Sequence, residues 1–305
     1  MRIELATSPG DSQRPNEDYA SVALPASGRG GVIVLLDGVT PPPGDDGCVH
    51  GVPWFTARLG GAMFELSGSR RDMTLADCLA TAIARTADAH RDTCDLSHVR
   101  TPQATCVSVR WSDELAGPGR SGGSEQPAKS GRPDASAGSV EYLVLSDSAL
   151  LVEHPDGTVA PLLDPRLDEL PPAVRAQRDA VRAQPPGSAE RQAAGAAYGL
   201  AVEALRNARG GFFTAAADPD VARTAVVGTL ARTDVRALAA LTDGATRWVE
   251  VFREGDWADC FALLRKEGPQ ALIDRVRDAE HADPDGAVFR RGKAHDDAAV
   301  VFAEF

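Results

Sequence analysis

The stretch "VIVLLDGVTPPPGDDG", residues 32–47, carries five consecutive apolar residues straight into Asp37 and Gly38, then into a proline-rich turn. An uninterrupted apolar run of this length, bounded by turn residues, reads as a buried strand. Its end has two readings. Asp-Gly is a common turn dipeptide. It is also what a metal site asks of a strand end, with the strand fixing a carboxylate and glycine letting backbone come close to a ligand. The dipeptide alone does not choose between them.

The rest of the chain repeats the pattern. Asp147 ends "YLVLS", and Asp243 ends "LAALT" and is again followed by glycine. Glu17 and Asp18 stand immediately before "YASVAL", and Asp296 and Asp297 immediately before "AAVVFAEF". Three strands therefore end on an acid and two begin on one. In an antiparallel sheet, a strand that leaves an edge and one that arrives there share that edge. These acids are expected at one rim. Gathered carboxylates repel one another unless protonated or bridged by cations. Aspartates, carbonyls and water suit Mg²⁺ or Mn²⁺ rather than zinc.

Further strand-like runs lie at 104–111, 148–154 and 224–231, and "HPDGT" (154–158) marks a hairpin turn after the second of these. Helical periodicity covers 52–66, 74–90 and 188–211, with Thr74 and Ser188 as N-caps and Gly210 as the C-terminal stop, and a late pair covers 257–283. Strands occur two or three in a row rather than alternating with helices. That predicts an α+β fold of antiparallel sheets covered by helices. Residues 114–139, rich in Gly, Ser and Pro, read as a disordered loop between two strands of one sheet, and 164–223 as an insertion capping one side of the site. The expected organisation is one domain over 1–305.

The chain has 305 residues, 43% of them hydrophobic, enough for a sizeable core, and a formal net charge of −12, which argues against nucleic-acid binding. No apolar run reaches the ~20 residues of a membrane helix and no leader pattern opens the chain, so the expectation is a cytoplasmic monomer. Cys48, Cys78, Cys94, Cys106 and Cys260 are scattered, with no C-x-x-C pair. They read as reduced, mostly buried thiols rather than disulfides or a zinc site.

The ordered set "RPNEDYASV" (14–22), "VIVLLDG" (32–38), "ATCVSV" (104–109), "LVLSDSALLV" (143–152), "LAALTDGAT" (238–246) and "HDDAAVVF" (295–302) resembles the metal-dependent type 2C serine/threonine protein phosphatases, the PPM family. The resemblance runs from about 14 to 302. It implies a four-layer α/β/β/α sandwich and hydrolysis of phosphoserine and phosphothreonine monoesters in a phosphorylated protein substrate. The implied cofactors are two Mn²⁺ or Mg²⁺ ions, with a weaker third. Asp37 would bridge two metals, with the Gly38 carbonyl on one of them. Asp243 and Asp296 would complete the first metal's shell. Glu17 would hold the second, supported by Asp18, and Asp147 would serve the third. Arg14 would grip the substrate phosphate, and a metal-bridging hydroxide would attack phosphorus without a covalent phosphoenzyme.

Several departures stand out. The family's D-G-x-G-G is replaced by "DGVTPPPGDDGCVHGVPW" (37–54), and the position that holds a general-acid histidine in some members is Val39. His50 is the nearest substitute for a substrate-side role, against a loop histidine making local hydrogen bonds. Asp147 lies in S-D-S-A, without the motif's Gly and Arg. These departures keep two alternatives open: a catalytically degenerate fold serving as a regulatory or binding module, and a phosphatase for a small phosphorylated metabolite. A haloacid-dehalogenase-type mechanism is set aside, because its nucleophilic aspartate would fall at Leu35.

Overall fold

The computed structural model describes residues 1–26, 29–42, 44–113, 138–185 and 187–305. The 114–139 loop expectation lies almost wholly outside these residues.

Among the described residues, ten strands form two antiparallel sheets. The first has the order β1 (Arg2–Ser8), β10 (Ala298–Glu304), β9 (Ala237–Leu241), β6 (Ala149–Glu153), β7 (Val159–Leu162). The second has the order β2 (Tyr19–Ala23), β3 (Gly31–Leu36), β4 (Cys106–Ser112), β5 (Ser139–Leu145), β8 (Val226–Ala231). The apolar run that ends at Asp37 is β3, and its period-2 alternation sets the layers. Val32, Val34 and Leu36 face α1 (Val52–Ser69) and α2 (Leu75–His90), meeting Phe55, Leu59 and Leu79. Ile33 and Leu35 point the other way, into the core between the sheets, against Leu150, Leu238 and Val301. On the far face of the first sheet, Leu241, Val300 and Phe302 pack on α5 (Asp243–Glu250), α6 (Trp257–Glu267) and α7 (Pro269–Ala282). The result is the α/β/β/α sandwich. A strand covered on both faces has no solvent side, which is why β3 shows no polar alternation.

Local signals explain most boundaries. Thr74 caps α2 with a reciprocal box: its hydroxyl accepts from the Asp77 N–H, and the Asp77 carboxylate accepts from the Thr74 N–H. Ser188 caps α4 (Ala189–Glu203) by accepting from the Arg191 N–H. The expected stop at Gly210 is corrected: α4 ends at Glu203, and Asn207, at φ 53°, reverses the chain with its side chain accepting from the Thr214 N–H. Asparagine tolerates this left-handed region better than most residues do. α3 (Pro172–Ala183) lies within the 164–223 insertion, ahead of the helical periodicity read from 188. Its prolines fall at the N-cap and first helical positions, where no N–H is needed. No residue of α3 or α4 is buried; the two pack on each other at the margin of the sandwich. No helix among the described residues is long and apolar enough to cross a membrane.

The glycines after Asp37 and Asp243 sit at backbone crossings. A Cβ on Gly38 would lie 2.6 Å from the Glu17 carbonyl oxygen, and one on Gly244 would lie 1.9 Å from the Asp297 carbonyl oxygen. Each glycine lets a strand end approach the start of its neighbour. Gly244→Ala is expected to destabilise the fold by roughly 1–3 kcal/mol, since the clash is with backbone; an unchanged urea midpoint would show that this crossing is not needed.

Candidate metal centre

The register brings the acids together. Tyr19 pairs with Leu36, so Asp18 and Asp37 flank the same end of the β2–β3 ladder. Leu241 pairs with Val300 and with Ala149, so Asp243 lies beside the residues that precede β10 and β6, which include Asp296, Asp297 and Asp147. All are at one rim of the sandwich. Asp37, Gly38, Asp147 and Asp243 line a cavity of about 800 Å³, walled also by Arg178, Arg206 and Lys293. Glu17, Asp296, Asp297 and the exposed Arg14 line a smaller recess beside it, which Thr40 and Lys293 share with the cavity.

Hydroxyl side chains fasten the strand ends. The Asp37 N–H donates to Thr105 Oγ1 (3.2 Å), the Thr105 N–H donates back to the Asp37 carbonyl (2.9 Å), and Thr105 Oγ1 meets Ser148 Oγ at 2.6 Å. The buried Thr242 hydroxyl donates to Asp18 Oδ2 (2.9 Å) and accepts from the Ala299 N–H (2.8 Å). Ser146 is left-handed at φ 68° and donates to Asp147 Oδ1 at 3.0 Å. It occupies the place where the family motif has glycine. Asp297 is committed to backbone: its two oxygens accept from the Gly10 and Glu17 N–H groups at 2.7 and 2.6 Å.

The carboxylates differ in what balances them. Asp296 is paired with Arg247 at 2.9 Å and Lys293 at 2.7 Å. Glu17 accepts from the Thr40 hydroxyl, and Lys293 donates to that same hydroxyl at 3.0 Å. Asp18 Oδ1 is buried with no hydrogen-bond partner. Burial, then the neighbouring charge of Asp243, pushes Asp18 and Asp37 well above the usual carboxylate range. Burial, then Asp296, pushes Asp243 up to about 7. Burial raises Asp147 as well, partly opposed by the Arg206 guanidinium. A partnerless buried oxygen among mutually repelling carboxylates fits a divalent cation bound by oxygen ligands.

Sequence reading did not single out Arg206, Lys293, Arg247, Thr40 or Thr105. Arg206 was hidden inside a run read as helix; it follows the true end of α4, stacks on Phe212 at 4.9 Å, and is half-buried, close enough to Asp147 and Asp37 to feel their charge. His50 does not line the acidic cavity. It stacks on Trp54 at 4.2 Å and meets Cys94 Sγ at 3.3 Å. Cys78, Cys106 and Cys260 are the expected buried thiols, whereas Cys48 and Cys94 are half-buried beside His50 and His90, which corrects the reading of the cysteines as scattered.

No family model and no curated protein matches the sequence. Solved structures do match its architecture. The serine/threonine phosphatase Stp1 from Staphylococcus aureus aligns at TM-score 0.55 with 11% identity, over 99% of this chain and 94% of that one. The chain has the fold of the PPM-type serine/threonine phosphatases. The PPM phosphatase MsPP from Mycobacterium smegmatis, solved in complex with cacodylate, aligns at TM-score 0.51 with 16% identity, over 100% of this chain and 98% of that one. PstP/Ppp from Mycobacterium tuberculosis aligns at TM-score 0.51 with 14% identity and the same coverage.

A carboxyl whose pKa rises on folding favours the folded state only while it is protonated. Its contribution is complete below the unfolded value of about 4 and is lost as pH climbs through the folded value. In chelator, the thermal transition is therefore expected to fall between about pH 4 and a pH above 7, the value near which Asp243 titrates. Asp243→Asn flattens that fall, and Mn²⁺ reverses it. A chelated protein equally stable across this window contradicts the description of the rim.

Proposed function

We propose that this chain is a metal-dependent phosphatase that hydrolyses phosphoserine and phosphothreonine monoesters in proteins, with Mn²⁺ or Mg²⁺ held by Asp37, Asp18, Asp243 and Asp147. The observation that carries the reading is the cluster of mutually repelling carboxylates at one end of a PPM-type fold, on a cavity that Arg178, Arg206 and Lys293 also line. In such a site bound divalent ions supply a nucleophilic hydroxide at neutral pH and neutralise phosphate charge.

The chain's own groups have separable tasks. Thr105 and Ser148 hold the Asp37 backbone, and Thr242 orients Asp18. Arg206 stands beside Asp147 and Asp37 on the cavity wall, where a guanidinium can donate two parallel bonds to a phosphate. Arg14, the phosphate-binding residue that the sequence resemblance implies, lies in the recess beside Glu17, and Arg206 is the better placed of the two. The Gly38 carbonyl and Glu17 remain available to a second ion on the recess side. Lys293 reaches Asp296 from the boundary between cavity and recess, and it would have to yield that carboxylate for Asp296 to join a metal shell.

The paired state of Asp296 favours one competing reading, a degenerate phosphatase fold that binds without catalysing. Turnover of a phosphopeptide and of para-nitrophenyl phosphate with Mn²⁺, Mg²⁺ or EDTA decides between them. Manganese-dependent hydrolysis, falling to the metal-free background in Asp37→Asn and Asp243→Asn, is the expected result. No turnover of either substrate by folded, metal-supplied protein would overturn the reading.

Arg206→Ala is expected to lower kcat/KM roughly 10- to 100-fold, the worth of a charge-assisted hydrogen bond at about 1.5–3 kcal/mol. Arg14→Ala is expected to have the smaller effect. The reverse ranking would return the phosphate-binding role to Arg14.

A further inference from the structure

A second cluster of ligating side chains lies apart from the carboxylate rim. Cys48 and His50 come from the loop after Asp37. His90 is the last residue of α2, and Cys94 follows one turn later, with its N–H donating to the His90 carbonyl at 3.0 Å. Their ligand atoms all lie within 4.8 Å of one another. Cys48 Sγ stands 3.3 Å from Cys94 Sγ, 3.7 Å from His90 Nδ1 and 3.9 Å from His50 Nδ1, and Cys94 Sγ stands 3.3 Å from His50 Nδ1. A tetrahedral zinc ion with bonds of about 2.3 Å to sulfur and 2.0–2.1 Å to nitrogen requires ligand separations of roughly 3.3–3.8 Å. Four of the six separations, at 3.3–3.9 Å, are near the edges of that tetrahedron.

We propose that Cys48, His50, His90 and Cys94 bind one zinc ion in a closed, structural site. Two thiolates and two imidazoles, with no carboxylate among them, select zinc over Mg²⁺ or Mn²⁺. Binding releases the two thiol protons to solvent, and the two thiolate charges then balance the ion. A neutral site is tolerable where these side chains lie, with His90 buried and the other three half-buried. Both histidines present Nδ1 to the sulfur atoms, and the aromatic faces of Trp54 and Phe55 pack against their rings.

The site accounts for the altered D-G loop. Two segments meet at the cluster, and they also meet where the Asp95 N–H donates to the Gly47 carbonyl at 2.8 Å and the Val39 N–H to the Gln103 carbonyl at 2.9 Å. The first segment carries Thr40, the hydrogen-bond partner of Glu17. Both segments wall an apolar cleft of about 580 Å³ that includes Val39, Pro42, Val99 and Leu200. The zinc ion fastens this wall to the end of α2 at a place where prolines have displaced the glycine-led turn into a helix.

The test is zinc content of the full chain, purified without chelator and dialysed against metal-free buffer. About one zinc per chain is expected, lost in the Cys48→Ser/Cys94→Ser double variant and retained in Asp37→Asn. Replacement by Co²⁺ is expected to give a thiolate-to-cobalt charge-transfer band, which an all-oxygen site cannot produce. Zinc retained by the double variant, absence of both zinc and the cobalt–thiolate band in the wild type, or a Cys48–Cys94 disulfide found by mass spectrometry would each overturn the proposal. Because Asp37→Asn removes a residue of the phosphatase reading and not of this cluster, failure of one leaves the other standing.

Discussion

Asp18, Asp37, Asp147 and Asp243 cannot all be ionised at one rim of a β-sandwich without a counter-charge close by. That constraint organises this molecule. At an effective dielectric near 20, two unit charges 4 Å apart repel by about 4 kcal/mol, so each additional carboxylate must be protonated, paired or bridged. Asp296 is paired with Arg247 and Lys293, and Asp297 is spent on backbone N–H groups. The remaining aspartates have pKa values raised by burial and by one another, and one oxygen of Asp18 has no partner. Divalent cations are the counter-charge that carboxylates of this kind accept.

The sandwich provides the stiffness this needs. Strands with both faces covered cannot slide or splay, so a carboxylate at a strand end stays where the register puts it. Thr105, Ser148 and Thr242 then fix the last backbone units against one another with buried hydroxyl bonds. The glycines after Asp37 and Asp243 permit the close crossings on which those bonds depend. The dipeptide is not a turn: Gly38 forms an antiparallel bridge with Ala104 just past the strand end. The dipeptide ends a strand, and it also lets the chain cross Glu17 and places an acid on the cavity wall.

Much of this was legible before any coordinates. The strand runs of the two inner layers are strong patterns, because burial on both faces leaves mostly apolar residues. Edges were harder. β1 has one buried residue in seven, and β7 is four residues with a proline, so neither has the pattern of a core strand. α5 was missed because its first residue is Asp243 itself, and the eight-residue helix looks like a turn after a strand. The acids were found because each touches a strong strand. Arg206 and Lys293 were not, because they reach the site from irregular segments whose path is set by tertiary contacts. The Cys/His cluster was passed over for want of a C-x-x-C pair. Its spacing, C-x-H in one loop and H-x₃-C across a helix end, becomes a ligand set only when the two segments meet.

Anomalous diffraction at the manganese and zinc edges, from crystals grown with Mn²⁺, would test the central claim most directly. Manganese density among Asp18, Asp37 and Asp243 is the expected result, with Lys293 drawn away from Asp296 wherever an ion takes its place. A rim without manganese, its carboxylates closed instead around Lys293 and Arg206, would contradict the claim that this cluster exists to hold metal.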